Sequence, residues 1–146
     1  MSSLRHPKQV ALSFPKLEAE LRANVLWDYN PELCELFVES LPFTTIYSHT
    51  TASGEGMYAP TRIVGRVRGA KHMLLTEMPH GTVTLSTDNY KTLGLFYGPI
   101  TEPLPGFPPV AQIIDEDIET MRRVGREVWL SNYVTHDPID VTVRAL

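Results

Sequence analysis

The sequence predicts a mainly β, α+β fold, a closed antiparallel β-barrel with two helices capping its open ends. Three observations lead there. Short runs with period-two alternation recur along most of the chain. Only two stretches have helical spacing, one early and one late, so the βαβ alternation of a parallel doubly wound sheet is missing. Twelve prolines outnumber nine glycines, which excludes a helical bundle because proline is poorly tolerated inside helices.

Taken in order, Val10, Leu12 and Phe14 alternate with Ala11 and Ser13 up to Pro15, and Leu17, Ala19, Leu21 and Ala23 alternate with Glu18, Glu20 and Arg22. The two runs read as a hairpin around Pro15-Lys16. Good helix formers in residues 16–23 offer a helical alternative; the alternation favours strand. Asn30-Pro31 starts the first helix, with Asn able to cap free amides, Pro suited to the first position and Glu32 near the positive end of the dipole. Leu33, Leu36, Phe37 and Leu41 make its apolar face, Cys34 is a small packing residue beside it, and Pro42 ends it.

Residues 43–51 are β-branched and aromatic and read as a strand. Ser53-Gly54-Glu55-Gly56 is a turn or bulge, and Met57-Tyr58-Ala59 continues as a short strand before Pro60. Residues 63–67 and 73–75 read as further short strands. Residues 81–86 and 92–97 read as a pair joined through Thr87-Asp88-Asn89-Tyr90. Residues 98–109 hold Pro99, Pro103, Pro105, Pro108 and Pro109, which cannot sit in a central strand and predict an irregular surface loop. After a strand at 110–114, Asp115 or Asp117 caps a second helix. Its apolar set is Ile118, Met121, Val124, Val128 and Trp129, with Arg122, Arg123 and Arg126 on solvated faces. Asp137-Pro138 turns the chain, and Ile139, Val141 and Val143 alternate in a last strand.

The 146 residues suit one domain over residues 9–146 behind a short polar tail at 1–8. Hydrophobic residues at 42% and charged residues at 21% are those of a folded chain. A net charge of −4 argues against nucleic acid. No apolar run approaches the roughly 20 residues of a membrane span. The single Cys34 permits no intrachain disulfide, and with no basic-then-apolar leader this points to the cytoplasm. The sequence leaves the oligomeric state open; an apolar rim and the Pro99 to Pro109 loop would suit a homodimer, two-fold dimers being the commonest oligomers.

The element order, together with Pro31-Glu32-Leu33, Ser40-Leu41-Pro42, Ser53-Gly54-Glu55, Met57-Tyr58-Ala59-Pro60 and Leu95-Phe96-Tyr97-Gly98-Pro99, resembles the cyclophilin-like barrel group that includes cucumopine synthase and its uncharacterised bacterial relatives. The resemblance covers about residues 9–146. It implies a cyclophilin-like fold and an enzyme that needs no cofactor; cucumopine-type enzymes condense an amino acid with a 2-oxo acid through an imine and then close a ring. Prolyl isomerases of the cyclophilin type carry an Arg in a Phe-x-Arg-x-x-Pro-Gly-Phe pattern on the strand after the first helix. Here that strand is Phe43-Thr44-Thr45-Ile46-Tyr47-Ser48-His49, with no Arg between it and Arg62, so prolyl isomerisation is not expected.

Histidines at 6, 49, 72, 80 and 136 show no HxH or HExxH spacing, so no metal site is expected, and there is no GxSxG elbow or P-loop. The candidate catalytic residues are His49, Glu55 and Tyr58. An imidazole at His49, late on a groove-lining strand, moves protons near neutral pH. Glu55, flanked by glycines, is a base or an ammonium ligand. The phenols of Tyr58 and Tyr97 donate to a carboxylate or an imine nitrogen, with plain ring packing as the alternative. Arg62 is the candidate carboxylate clamp because guanidinium binds carboxylates in a fork. His80, in the turn Met78-Pro79-His80-Gly81, joins Arg62 and Tyr97 as a candidate substrate contact. The expected activity is acid–base chemistry at a carbon–nitrogen bond or imine of a small polar acid or amide. The alternative is a non-catalytic barrel that holds a peptide or metabolite.

Overall fold

The alternation in the first quarter of the chain forms a hairpin in the computed structural model, which describes residues 6–51, 53–88 and 90–146. The hairpin comprises β1 (Gln9–Phe14) and β2 (Ala19–Val25), joined by a 3-10 turn at Pro15–Leu17. It is followed by α1 (Pro31–Glu39), β3 (Phe43–His49), β4 (Gly54–Pro60), β5 (Thr82–Ser86), β6 (Thr92–Ile100) and β7 (Pro109–Ile113). Last come α2 (Ile118–Leu130) and β8 (Ile139–Ala145). Residues 1–5 of the expected polar tail and Asn89 of the β5–β6 connection lie outside the described residues.

The strands pair antiparallel in the order β1-β2-β7-β5-β6-β4-β3-β8, and β8 returns to β1 to close the barrel. Closure leaves no strand edge to protect. Inward side chains such as Leu12, Leu21, Val83, Leu85, Leu93, Leu95, Val141 and Val143 fill the interior and are fully buried. The two helices sit at opposite ends. Leu33 and Phe37 of α1 join the core where β2 ends and β7 begins, whereas Met121, Val124 and Val128 of α2 join it where β7 ends. Cys34 packs as a small buried residue with its thiol directed at the carbonyl of Val110.

Several expectations are corrected. Asn30 does not cap α1. Its side-chain amide donates to the carbonyls of Lys71 and Pro109, and its oxygen accepts from the Lys71 amide. Asp117 precedes α2 after a 3-10 turn at Asp115–Asp117, but its carboxylate is taken by Arg22 in a two-point fork, at 2.9 and 3.0 Å, and by the Arg22 amide at 2.8 Å. In both cases distant partners take the side chain from the local cap: backbone groups of Lys71 and Pro109 for Asn30, and a charged guanidinium for Asp117. Residues 63–67 and 73–75 are not strands. The barrel already uses its edges, and apart from one bridge, Leu74 to Pro105, and a 3-10 turn at Leu75–Glu77, this stretch is irregular. Leu75 and Met78 there cover the outer face of the sheet at Phe96. β6 runs on through Gly98 and Pro99, where its register against β4 shifts between Gly54 and Gly56, so the irregular loop is confined to residues 101–108. Pro109 opens β7, a position that needs no donated hydrogen bond.

The Arg22–Asp117 fork fixes where α2 starts. Replacing Asp117 with Ala should lower the melting temperature by about 3–8 °C. Because Arg22 holds this carboxyl below its ordinary range, its contribution is present above the unfolded-state value near pH 4 and is lost as pH falls through the lower folded value. Calorimetry should therefore show a constant gap between the two proteins above about pH 5 that closes in stronger acid.

Candidate functional site

The end of the barrel under α2 is where the sequence places its polar chemistry. β3 finishes on His49, β4 starts with Gly54 and Glu55, and β6 passes Tyr97 and Gly98 beside them. Between these strand ends and α2 lies a cavity of about 540 Å³. His49, Glu55 and Tyr97 line it from the barrel, and Arg126, Trp129 and Leu130 line it from α2. Its size and its mixture of apolar walls and few polar groups suit a small ligand.

His49 is 7% exposed, and both ring nitrogens are engaged. Nδ1 lies 2.8 Å from the carbonyl oxygen of Thr50 and Nε2 lies 2.6 Å from the Tyr97 hydroxyl. A carbonyl only accepts, so Nδ1 carries the hydrogen; in the neutral ring Nε2 is then the acceptor and the Tyr97 hydroxyl donates to it. Tyr133, in the π-helical turn Ser131–Thr135 after α2, donates to the His49 carbonyl at 3.3 Å. Its ring stands edge-on to His49, and Trp129 packs against Tyr133 at 5.2 Å between centroids.

Two glycines make this arrangement possible. A Cβ on Gly125 would lie 2.5 Å from ring atoms of Tyr97, so α2 rests its bare backbone on the phenol. A Cβ on Gly98 would lie 1.7 Å from Glu55 Oε2, so the Glu55 carboxylate lies across the Gly98 backbone. Burial, and then the negative Glu55, push the Tyr97 hydroxyl up to about 12, with Arg126 acting in the opposite sense. Tyr97 is therefore a neutral phenol across the physiological range.

Of the residues singled out by sequence, the structure brings His49, Glu55 and Tyr97 together. Tyr58 lies elsewhere, on the outer face of the sheet with its ring edge-on to Phe96 at 5.7 Å. Arg62 lines a different cavity, of about 380 Å³, with Ser40, Phe43 and Thr45 near the α1 end. His80 is exposed in the turn before β5, and its backbone carbonyl accepts from Gln112. Sequence reasoning missed Arg126, Trp129 and Leu130, which share a helix face at spacings of three and four. An exposed Trp beside an Arg on that face was the available signal; Trp129 is 45% exposed and is not a core residue as expected. Among the described residues, no three His, Cys, Asp or Glu side chains are grouped to hold a metal ion, and no helix is long and apolar enough to cross a membrane.

No protein-family model matches the chain, and no curated protein matches it. Among solved structures it is similar to McbB in complex with tryptophan, at 32% identity and a TM-score of 0.85 over 94% of this chain and 44% of McbB. The chain thus spans less than half the length of that protein. It is also similar to a hypothetical protein from Archaeoglobus fulgidus, at a TM-score of 0.59 and 15% identity over 96% of this chain and 95% of the other, a likeness of fold alone. The fold is a cyclophilin-like barrel that resembles McbB and proteins of the cucumopine-synthase type.

Glu55→Gln should lower the ionisation midpoint of Tyr97 from its value near 12, because the nearby negative charge is removed. The ultraviolet tyrosinate titration, with Tyr97→Phe as the reference, reads this directly. Gly125→Ala should lower the melting temperature even though Ala favours a helix by about 1 kcal/mol over Gly, since the added methyl meets the Tyr97 ring, and overpacking of this kind costs about 1–3 kcal/mol.

Proposed function

We propose that the chain is a small-molecule enzyme that performs acid–base chemistry at a carbon–nitrogen bond or imine of a small amino-bearing acid. One observation carries this reading: a carboxylate (Glu55), a phenol backed by a buried imidazole (Tyr97 and His49) and a guanidinium (Arg126) line one small cavity. Amine addition to a carbonyl requires a neutral amine, so a base must remove the ammonium proton, and loss of water from the adduct requires an acid. Glu55 suits the first task and the neutral Tyr97 phenol the second. Arg126 suits the substrate carboxylate through its two-point fork. Trp129 and Leu130 offer an apolar wall to the remainder of the ligand.

Two likenesses support the choice of substrate. The cucumopine-type resemblance implies an amino acid and a 2-oxo acid as reactants. The McbB structure holds tryptophan, which makes an aromatic amino acid the first ligand to test. In this reading Arg126 takes the carboxylate role expected of Arg62, and Tyr58 and His80 stand outside the reaction.

The test is calorimetric titration with L-tryptophan, followed by incubation with a 2-oxo acid and product detection by mass spectrometry. Saturable binding is expected, weakened about tenfold or more in Arg126→Ala. Glu55→Gln should still bind but form no product. Binding with no product in the unaltered protein would make the barrel a non-catalytic module, and no binding of any amino acid would overturn the reading.

A further inference from the structure

We propose that Tyr97, not His49, exchanges a proton with the ligand, and that His49 is a positioning residue whose own proton decides whether Tyr97 offers the cavity a hydrogen or a lone pair. The inference rests on the cavity taking an amino-bearing ligand and goes beyond it to how the proton moves.

Both ring nitrogens of His49 are spent on the protein, one on the Thr50 carbonyl and one on the Tyr97 hydroxyl. The ring is buried and edged by Tyr97 and Tyr133. It has no nitrogen left for a ligand unless one of these bonds breaks. The Tyr97 oxygen has such capacity, with one hydrogen and two lone pairs of which the His49 bond uses only one site.

The direction of that single bond has two settings. With His49 neutral, the phenol hydrogen points to Nε2 and an oxygen lone pair remains for the cavity. With His49 protonated, Nε2 donates to the phenol oxygen and the phenol hydrogen is released toward the cavity. Separate from the ammonium proton that Glu55 takes, removal of a further ligand proton runs in one concerted movement: that proton passes to the Tyr97 oxygen while the Tyr97 proton passes to Nε2, leaving a neutral phenol and an imidazolium. Proton return is the reverse. No phenolate stands alone at any stage, which fits a hydroxyl held up to about 12. The charged and titratable groups around the pair are Glu55 from β4, Arg126 from α2 and Tyr133 from the turn after α2.

The first test needs no ligand. Long-range proton–nitrogen correlation spectra of ¹⁵N-histidine-labelled protein should show neutral His49 with its hydrogen on Nδ1. In Tyr97→Phe the tautomer should persist, because Thr50 still accepts, while the Nε2 resonance moves downfield toward that of an unbonded lone pair. A hydrogen on Nε2 in the neutral ring, or an Nε2 resonance unmoved by the substitution, would overturn the proposal.

The second test uses product formation from an amino acid and a 2-oxo acid. Tyr97→Phe should lower kcat by about 100-fold or more with KM little changed. His49→Gln should retain more activity than Tyr97→Phe and lose the pH dependence that His49 confers. A Tyr97→Phe enzyme with the rate and pH profile of the unaltered protein would overturn the proposal even if the cavity is catalytic. Absence of product in every protein, with the His49–Tyr97 bond intact by resonance, would overturn the enzymatic reading and the proton exchange with it.

Discussion

Helix α2 meets the barrel at close range where Gly125 lies on the ring of Tyr97. A side chain at that position would hold the helix away, and the site depends on its not being held away. The Arg22–Asp117 fork fixes the start of the helix, and the glycine contact fixes its height about two turns later. Between them Met121 and Val124 fill the barrel mouth. With start and height set, the next turn places Arg126, Trp129 and Leu130 over the ends of β3, β4 and β6. The same contact holds the Tyr97 ring in place, so its hydroxyl stays within 2.6 Å of His49.

The barrel beneath supplies the electrical setting. Fully buried Met57, Leu93 and Leu95 lie behind the polar layer, so charge introduced at Tyr97 has little solvent to relieve it, and burial is the first cause of its raised ionisation. The layer itself carries both signs, with Glu55 from a strand and Arg126 from a helix. Two walls of one cavity thus carry opposite charges, an arrangement complementary to a ligand that bears both signs.

The barrel was legible because alternation is a local property. Leu17 to Ala23 could be assigned to the second arm of a hairpin, and Pro31 and Pro42 bound the first helix in sequence as in space. The roles of Asn30 and Asp117 were not legible, because their partners lie 41 and 95 residues away and nothing near them in the chain announces those partners. The short apolar runs at 63–67 and 73–75 look like strands, and only closure of the sheet elsewhere leaves them none to join. The site was half legible. His49, Glu55 and Tyr97 each stand at the right end of a strand, but Arg62 was grouped with them on sequence proximity. Glu55 and Arg62 are separated by almost the whole of β4, and at about 3.3 Å per residue an extended strand carries such neighbours some 20 Å apart. Arg126 and Trp129 were assigned to solvent and to core by helical spacing, since periodicity does not mark the border between the two where a cavity opens.

The division of labour between strand ends and helix has an evolutionary consequence. His49 and Tyr97 are buried and tied to the barrel by register and by their mutual hydrogen bond, so large changes there disturb the scaffold. Trp129 and Leu130 are exposed at 45% and 39%, contribute little to the interior, and line the cavity from α2. Descendants of this architecture can exchange those two side chains at small cost in folding and so reshape the cavity wall while the barrel beneath stays unchanged.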